Sequence, residues 1–257
     1  MIPNTRPRPL DDFAAMTGRS LTRLLRSPDT MIMGVALPVM LLLLFVYVFG
    51  GAMKTATGYL DYVVPGIILL CAGFGSSQTA VSVTGDMVHG IVDRFRSMPI
   101  ARSAFLFGHV ASSVIRNLLT SLVVIGVAMI MGFRPTAGPI QWLAALAIVA
   151  LFILAISWLA TALGLLAGTE EAANGFTFFL LFLPYVSSAF VPTDTMPSWL
   201  HAFAENQPVT PVIETVRGLL LGTPVDDTAL IAVLWCVGIA CAGYLWAITL
   251  FTRRTAR

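Results

Sequence analysis

The side chains able to carry chemistry in this chain are few and far apart. His89 stands in a charged segment, His109 at the start of an apolar run and His201 in a proline-broken stretch. Placed on a cytoplasmic segment, at the start of a span and in an outer segment, they cannot share a metal under that topology. Neither a Gly-x-Ser-x-Gly elbow nor a His-Glu-x-x-His pair occurs, so no esterase nucleophile or zinc-protease site is expected. A Gly-x-x-x-x-Gly-Lys-Ser/Thr run is also missing, and ATP is not expected to bind this chain through a phosphate loop. Cys71, Cys236 and Cys241 lie inside apolar runs and read as small polarizable hydrophobes, with no disulfide framework. Catalytic residues, cofactor and metal are therefore all expected to be none on this chain.

Five other charged residues bear on function. Arg116 sits in an otherwise uncharged run; it reads either as a substrate or gating contact or, in the preferred reading, as a side chain snorkelling to the cytoplasmic interface from the first turns of the third span, which has room to begin near Ser113. Glu170 and Glu171 suit the first turn of a helix, where the dipole favours acid, and could also pair with interfacial arginines. Glu214 and Arg217 are three residues apart and read as a local ion pair worth a few tenths of a kcal/mol.

The elements that must position these groups follow from composition. Of 257 residues 57% are hydrophobic and 11% charged, whereas about a quarter of a soluble domain is charged. The fold class is an all-α integral membrane protein. A formal net charge of +2 gives no reason to expect nucleic acid. Uncharged stretches long enough to cross a bilayer place six spans at about 31–50, 62–84, 104–133, 141–168, 172–191 and 228–252. Carboxylates are expected to be absent from them. Residues 1–10, rich in proline and arginine, read as a flexible tail, and 11–27 as an amphipathic interfacial helix with Phe13, Met16, Leu21, Leu24 and Leu25 opposite Arg19, Arg23 and Arg26. No short apolar region followed by a small-residue cleavage site opens the chain, so a removable signal peptide is not expected. The segment 193–224, cut by Pro197, Pro208 and Pro211, reads as short helices that enter the outer leaflet without crossing.

Between the second and third spans, Val88, Ile91, Val92 and Phe95 fall at helical spacing on one side, and Asp93, Arg94, Arg96 and Ser97 on the other. Pro99 ends the pattern. This predicts a short amphipathic helix over 86–98, lying flat at the membrane surface. With the N-terminus in the cytoplasm, eleven of the fifteen basic residues are inside and Lys54, Arg134 and Arg217 outside, leaving Arg116 in a span. Both termini and the 86–98 helix are then cytoplasmic, with residues 253–257 a short tail.

The run GIVDRFRSMPIAR at 90–102 resembles the cytoplasmic segment of bacterial type 2 ABC exporter permeases, in particular the daunorubicin-resistance class. PYVSSAFVP at 184–192, MPSWL at 196–200 and NQPVT at 206–210 resemble that class's end of span 5 and outer segment. The resemblance implies a multidrug efflux permease of the bacterial plasma membrane, working as a dimer with itself or a related permease. Separate P-loop ABC ATPase subunits would carry the ATP and Mg. It also implies that 86–98 is the coupling helix, with Gly90, Arg94 and Pro99 as its motif positions and Val88, His89, Ile91 and Phe95 completing the contact. Many members carry an acidic residue where this chain has His89. A substrate path is expected along Ser76, Ser77, Thr79, Phe178, Phe182 and Ser187, suited to an amphipathic drug, antibiotic or lipid by its lack of fixed charge. Export of a lipid-linked polysaccharide or cell-wall polymer is an alternative, as is a non-transporting sensor or anchor subunit. The five tryptophans, Trp142, Trp158, Trp199, Trp235 and Trp246, are too dispersed to favour the polymer.

Overall fold

Helix α2 (Tyr59–Val88), 30 residues long, is the axis around which five of the other helices pack. The computed structural model describes residues 17–18, 22, 28–52, 58–90, 102–225 and 227–255. Its remaining helices are α1 (Pro28–Leu44), α3 (Arg102–Met131), α4 (Pro139–Leu166), α5 (Glu170–Phe182), α6 (Ser198–Asn206), α7 (Val209–Leu221) and α8 (Thr228–Thr255). A wider turn over Phe45–Phe49 continues α1. Among the described residues α2, α3, α4 and α8 are long and apolar enough to cross a membrane.

Local chemistry sets the helix ends. Pro139 occupies the first turn of α4, where a missing N–H costs nothing, and the Gln141 side chain accepts from the Gly138 N–H at 2.7 Å. The Thr169 hydroxyl accepts from the Ala172 N–H at 3.2 Å to start α5, whose first turn carries Glu170 and Glu171. Gly222 closes α7 in the left-handed conformation, φ 72°.

α2 packs on α1, α3, α4, α5 and α7, while α8 lies against α4 and α7. The most apolar window of α2 is 72% buried and that of α8 only 22%, so α2 is the core and α8 offers most of its surface outward. Between apolar helices in lipid the attraction comes from close packing, which small residues permit. A Cβ on Gly164 would lie 2.5 Å from the Ala80 carbonyl oxygen, and one on Gly66 would lie 2.7 Å from the Ala189 Cα. Hydrogen bonds between helices align their ends: Thr84 of α2 donates to Gly164 O at 2.8 Å, and Arg254 of α8 donates to Leu166 O at 3.1 Å. The Val88, Arg102, Leu166 and Thr255 termini thus gather at one end, where Phe107 and Tyr244 each meet the Trp158 ring edge-on.

One expectation changes. The fifth span, drawn at 172–191, is not one helix: α5 stops at Phe182 and hands over to a tight turn, Leu183–Val186, containing Pro184. Within 193–224 lie the short helices α6 and α7, and α7 buries Val209, Val212, Ile213, Val216 and Leu220 against α2, α4 and α8. Helix α2 runs past both ends of the span drawn at 62–84, taking in Asp61 in its first turn and Asp86 in its last. The interfacial helix expected at 11–27 lies outside the described residues apart from Thr17, Gly18 and Thr22, where the Thr22 hydroxyl donates to Gly18 O at 2.8 Å.

Candidate functional site

The residues expected to line a substrate path are used differently in the structure. The buried Ser76 and Ser113 hydroxyls both meet Ser157 of α4, at 3.4 and 2.9 Å, and Asn117 Nδ2 donates to Ser113 at 3.2 Å. Ser77 bonds Thr177 of α5 at 2.7 Å. Ser187 closes its own turn, donating to Pro184 O at 2.6 Å and accepting from the Ala189 N–H. Phe178 and Phe182 face outward, 67% and 54% exposed. The six residues therefore do not converge on one passage. Ser76 and Ser77 fasten α2 to α4 and α5, at roughly 0.6 kcal/mol for a typical interhelical bond. Phe182 instead borders an apolar hollow with Phe179, Leu183, Val186, Trp199 and Phe203.

Arg116 departs from the expected snorkelling. α3 begins at Arg102, about 21 Å before Arg116 at 1.5 Å per residue. Its guanidinium turns inward, Nη2 donating to Gly75 O at 2.5 Å and to Thr79 Oγ1 at 3.2 Å. Thr79, expected on the path, is here a partner of this arginine. Ser113, Arg116, Asn117 and Thr120 recur at i, i+3, i+4 and i+7, a polar stripe on α3 that periodicity alone could have revealed. Arg116, Asn117 and Thr120 of this stripe line a cleft of about 270 Å³ between α1, α2 and α3.

At the Val88 end, the first residues of the expected 86–98 coupling helix belong to the end of α2. Asp86, Met87 and Val88 form the last turn of α2, His89 caps it and Gly90 stops it in the left-handed region, φ 66°, its N–H donating to Met87 O at 3.2 Å. His89 Nδ1 pairs with Gly85 O at 2.7 Å. Val88 is 58% exposed. Ile91, Arg94, Phe95 and Pro99 lie outside the described residues. Asp86 is buried and meets His109 Nε2 of α3 at 3.2 Å, under the edge of the Phe105 ring. Sequence reading had separated these two residues into a surface segment and a span.

At the opposite end of α2, Arg217 does far more than pair with Glu214. It reaches Glu214 Oε1 at 2.5 Å, donates to Tyr62 O at 3.0 and 3.3 Å and to Ser188 O at 2.8 Å, and stacks 3.8 Å over the Tyr62 ring. The signal was its register, since 217 falls on the same face as Ile213 and Leu220. Gln207 was also missed. Its buried Nε2 donates to Leu183 O and Val186 O at 3.3 and 3.2 Å, satisfying carbonyls beside the break in α5.

A bundle of long apolar helices, stitched by buried hydroxyls and carrying charge at a few fixed points, defines a multi-pass membrane protein. The chain belongs to the ABC-2 type transporter family, whose model matches residues 11–221. It is 29% identical over 225 residues to the daunorubicin resistance ABC transporter permease protein of Streptomyces coeruleorubidus, covering 87% of this chain and 77% of that one. It is 28% identical over 225 residues to a probable doxorubicin resistance ABC transporter permease protein of Mycobacterium tuberculosis, covering 87% and 82%. This protein is thus a membrane permease of the ABC-2 family, a family that works with ABC ATPase subunits.

Proposed function

We propose that the protein moves an amphipathic drug, antibiotic or lipid outward across a bacterial plasma membrane, driven by separate ATPase subunits that bind ATP and Mg. It would act as a dimer with a second copy or a related permease. Six crossings with both termini cytoplasmic follow if α1 with Phe45–Phe49 forms the first and α5 with the Leu183–Val186 turn the fifth. Those two pieces of the fifth, 13 and 4 residues long, reach about 28 Å at 1.5 and 2.0 Å per residue, close to the roughly 30 Å hydrocarbon core. Arg253 and Arg254 close the same end of the bundle as Gly90, in keeping with a basic cytoplasmic face.

The observation that carries the reading is the continuity of α2. Its last turn leads directly through Gly90 into the basic amphipathic run at 91–98, while most of its length is buried among five other helices. Force applied by an ATPase to Arg94 and Phe95 would reach the bundle centre through one rigid element. Closure of the ATPases on ATP would tilt α2 and α3 together, because Asp86 and His109 join them beside the point of contact. In liposomes holding the permease and its ATPase, Arg94→Glu combined with Phe95→Ala is expected to lower substrate-stimulated ATP hydrolysis at least tenfold, about 1.4 kcal/mol. Unchanged stimulation rejects the coupling role, and a full complex that alters signalling without moving solute points to a sensor.

A further inference from the structure

The cleft between α1, α2 and α3 holds a formal positive charge with no counter-ion among the described residues. Arg116 bonds two neutral oxygens, and its buried Nε meets no acceptor. No carboxylate among the described residues pairs with it. Arg217, by contrast, has Glu214. A guanidinium midway along a membrane-crossing helix is costly unless an anion comes to it, and such groups are kept where they meet a ligand. Around it the cleft is split in character, with amides from Gln78 and Asn117 near the charge and Leu37, Cys71 and Phe74 forming the apolar wall. Exposed Gln78 and Leu37 mark its mouth on the lateral surface of the bundle. At about 270 Å³ it falls just under the roughly 300–1,000 Å³ of sites that enclose a whole drug-sized ligand. It suits the polar end of a molecule whose tail stays in lipid.

We propose that this cleft binds an anionic amphiphile, its carboxylate or phosphate held by Arg116 and the neighbouring amides, its first methylenes lying against Leu37 and Phe74. The inference rests on the exporter reading only for what becomes of the ligand. Within that reading it names the substrate class as acids, over cationic or neutral amphiphiles of the same shape. Arg is the side chain for such a task, because its fork can hold Gly75 O and still present N–H groups to an acid.

Binding to the full-length chain in phosphatidylcholine nanodiscs tests this without any ATPase. Pyrene-labelled dodecanoate and dodecyl phosphate are compared with the matched alcohol and trimethylammonium compounds, with inorganic phosphate as a competitor. The two acids are expected to bind saturably and at least tenfold tighter than the alcohol, with the ammonium no better than the alcohol and inorganic phosphate a weak competitor. Arg116→Gln should abolish the preference and Arg116→Lys should keep most of it. Gln78→Glu, which sets a carboxylate beside the guanidinium, should weaken the acids about tenfold with elution and melting unchanged. Should Arg116→Gln fail to fold, Gln78→Glu and Arg116→Lys carry the decision. Equal affinity for acid and alcohol, inorganic phosphate competing as well as the alkyl phosphate, or an undiminished preference in Gln78→Glu overturns the proposal. Because the assay contains no ATPase, such a result leaves the coupling of Arg94 and Phe95 standing.

Discussion

The two sides of α2 treat polarity in opposite ways. Toward α4, α5 and α7 the Ser76, Ser77 and Thr84 hydroxyls and the Arg217 guanidinium find partners on other elements, and backbone approaches backbone at Gly66 and Gly164. Toward α1 and α3 the side opens into a cleft where Arg116 keeps a charge with nothing of opposite sign beside it among the described residues. A fully satisfied seam contributes rigidity, whereas an unsatisfied one holds free energy that a ligand can release. The first side is built to transmit motion and the second to respond to something.

Substitutions on each side sharpen that contrast. Arg217→Ala strips hydrogen bonds from Tyr62 O and Ser188 O, the Glu214 pair and the contact with the Tyr62 ring. A loss of about 2–4 kcal/mol in unfolding free energy is expected, read as a lower midpoint in detergent unfolding, and Arg217→Lys should recover less than half because an ammonium cannot fork. Next in size is Gly164→Ala, which forces a methyl against the Ala80 carbonyl. It should cost about 1–3 kcal/mol by overpacking, measured in the same way. The smallest effect on stability belongs to Arg116→Gln, which gives up two hydrogen bonds but removes a buried charge. The midpoint should correspond to within about 1 kcal/mol of wild type. If Arg116→Gln proved as damaging as Arg217→Ala, the two sides would not differ in kind and Arg116 would be another structural clamp.

Reading the chain alone located the long apolar helices, because twenty or more uncharged residues leave few alternatives once lipid is the solvent. It placed the break between α2 and the basic run a turn too early, since the apolar pattern of Val88 and Ile91 continues past the point where Asp86 turns inward to His109. The fifth span was drawn through Pro184 because hydropathy ignores the missing N–H, and the repair comes from Gln207, more than twenty residues on. Arg217 escaped for a similar reason: its acceptors sit at residues 62 and 188, and no local window contains them. Arg116 was read from its chain position alone, whereas its inward partners, Gly75 O and Thr79 Oγ1, stand on another helix about forty residues away.

Consider finally where Gly75 sits along α2. It is 15 residues from Gly90 and 16 from Tyr59, about 22 and 24 Å at 1.5 Å per residue. With the Tyr59 end pinned by Arg217, a swing delivered at Gly90 arrives at Gly75 at about half its amplitude, by simple leverage about a fixed point. The carbonyl that steadies Arg116 would then be drawn sideways on every stroke, so the grip on an acid and the stroke of the motor would share one moving part.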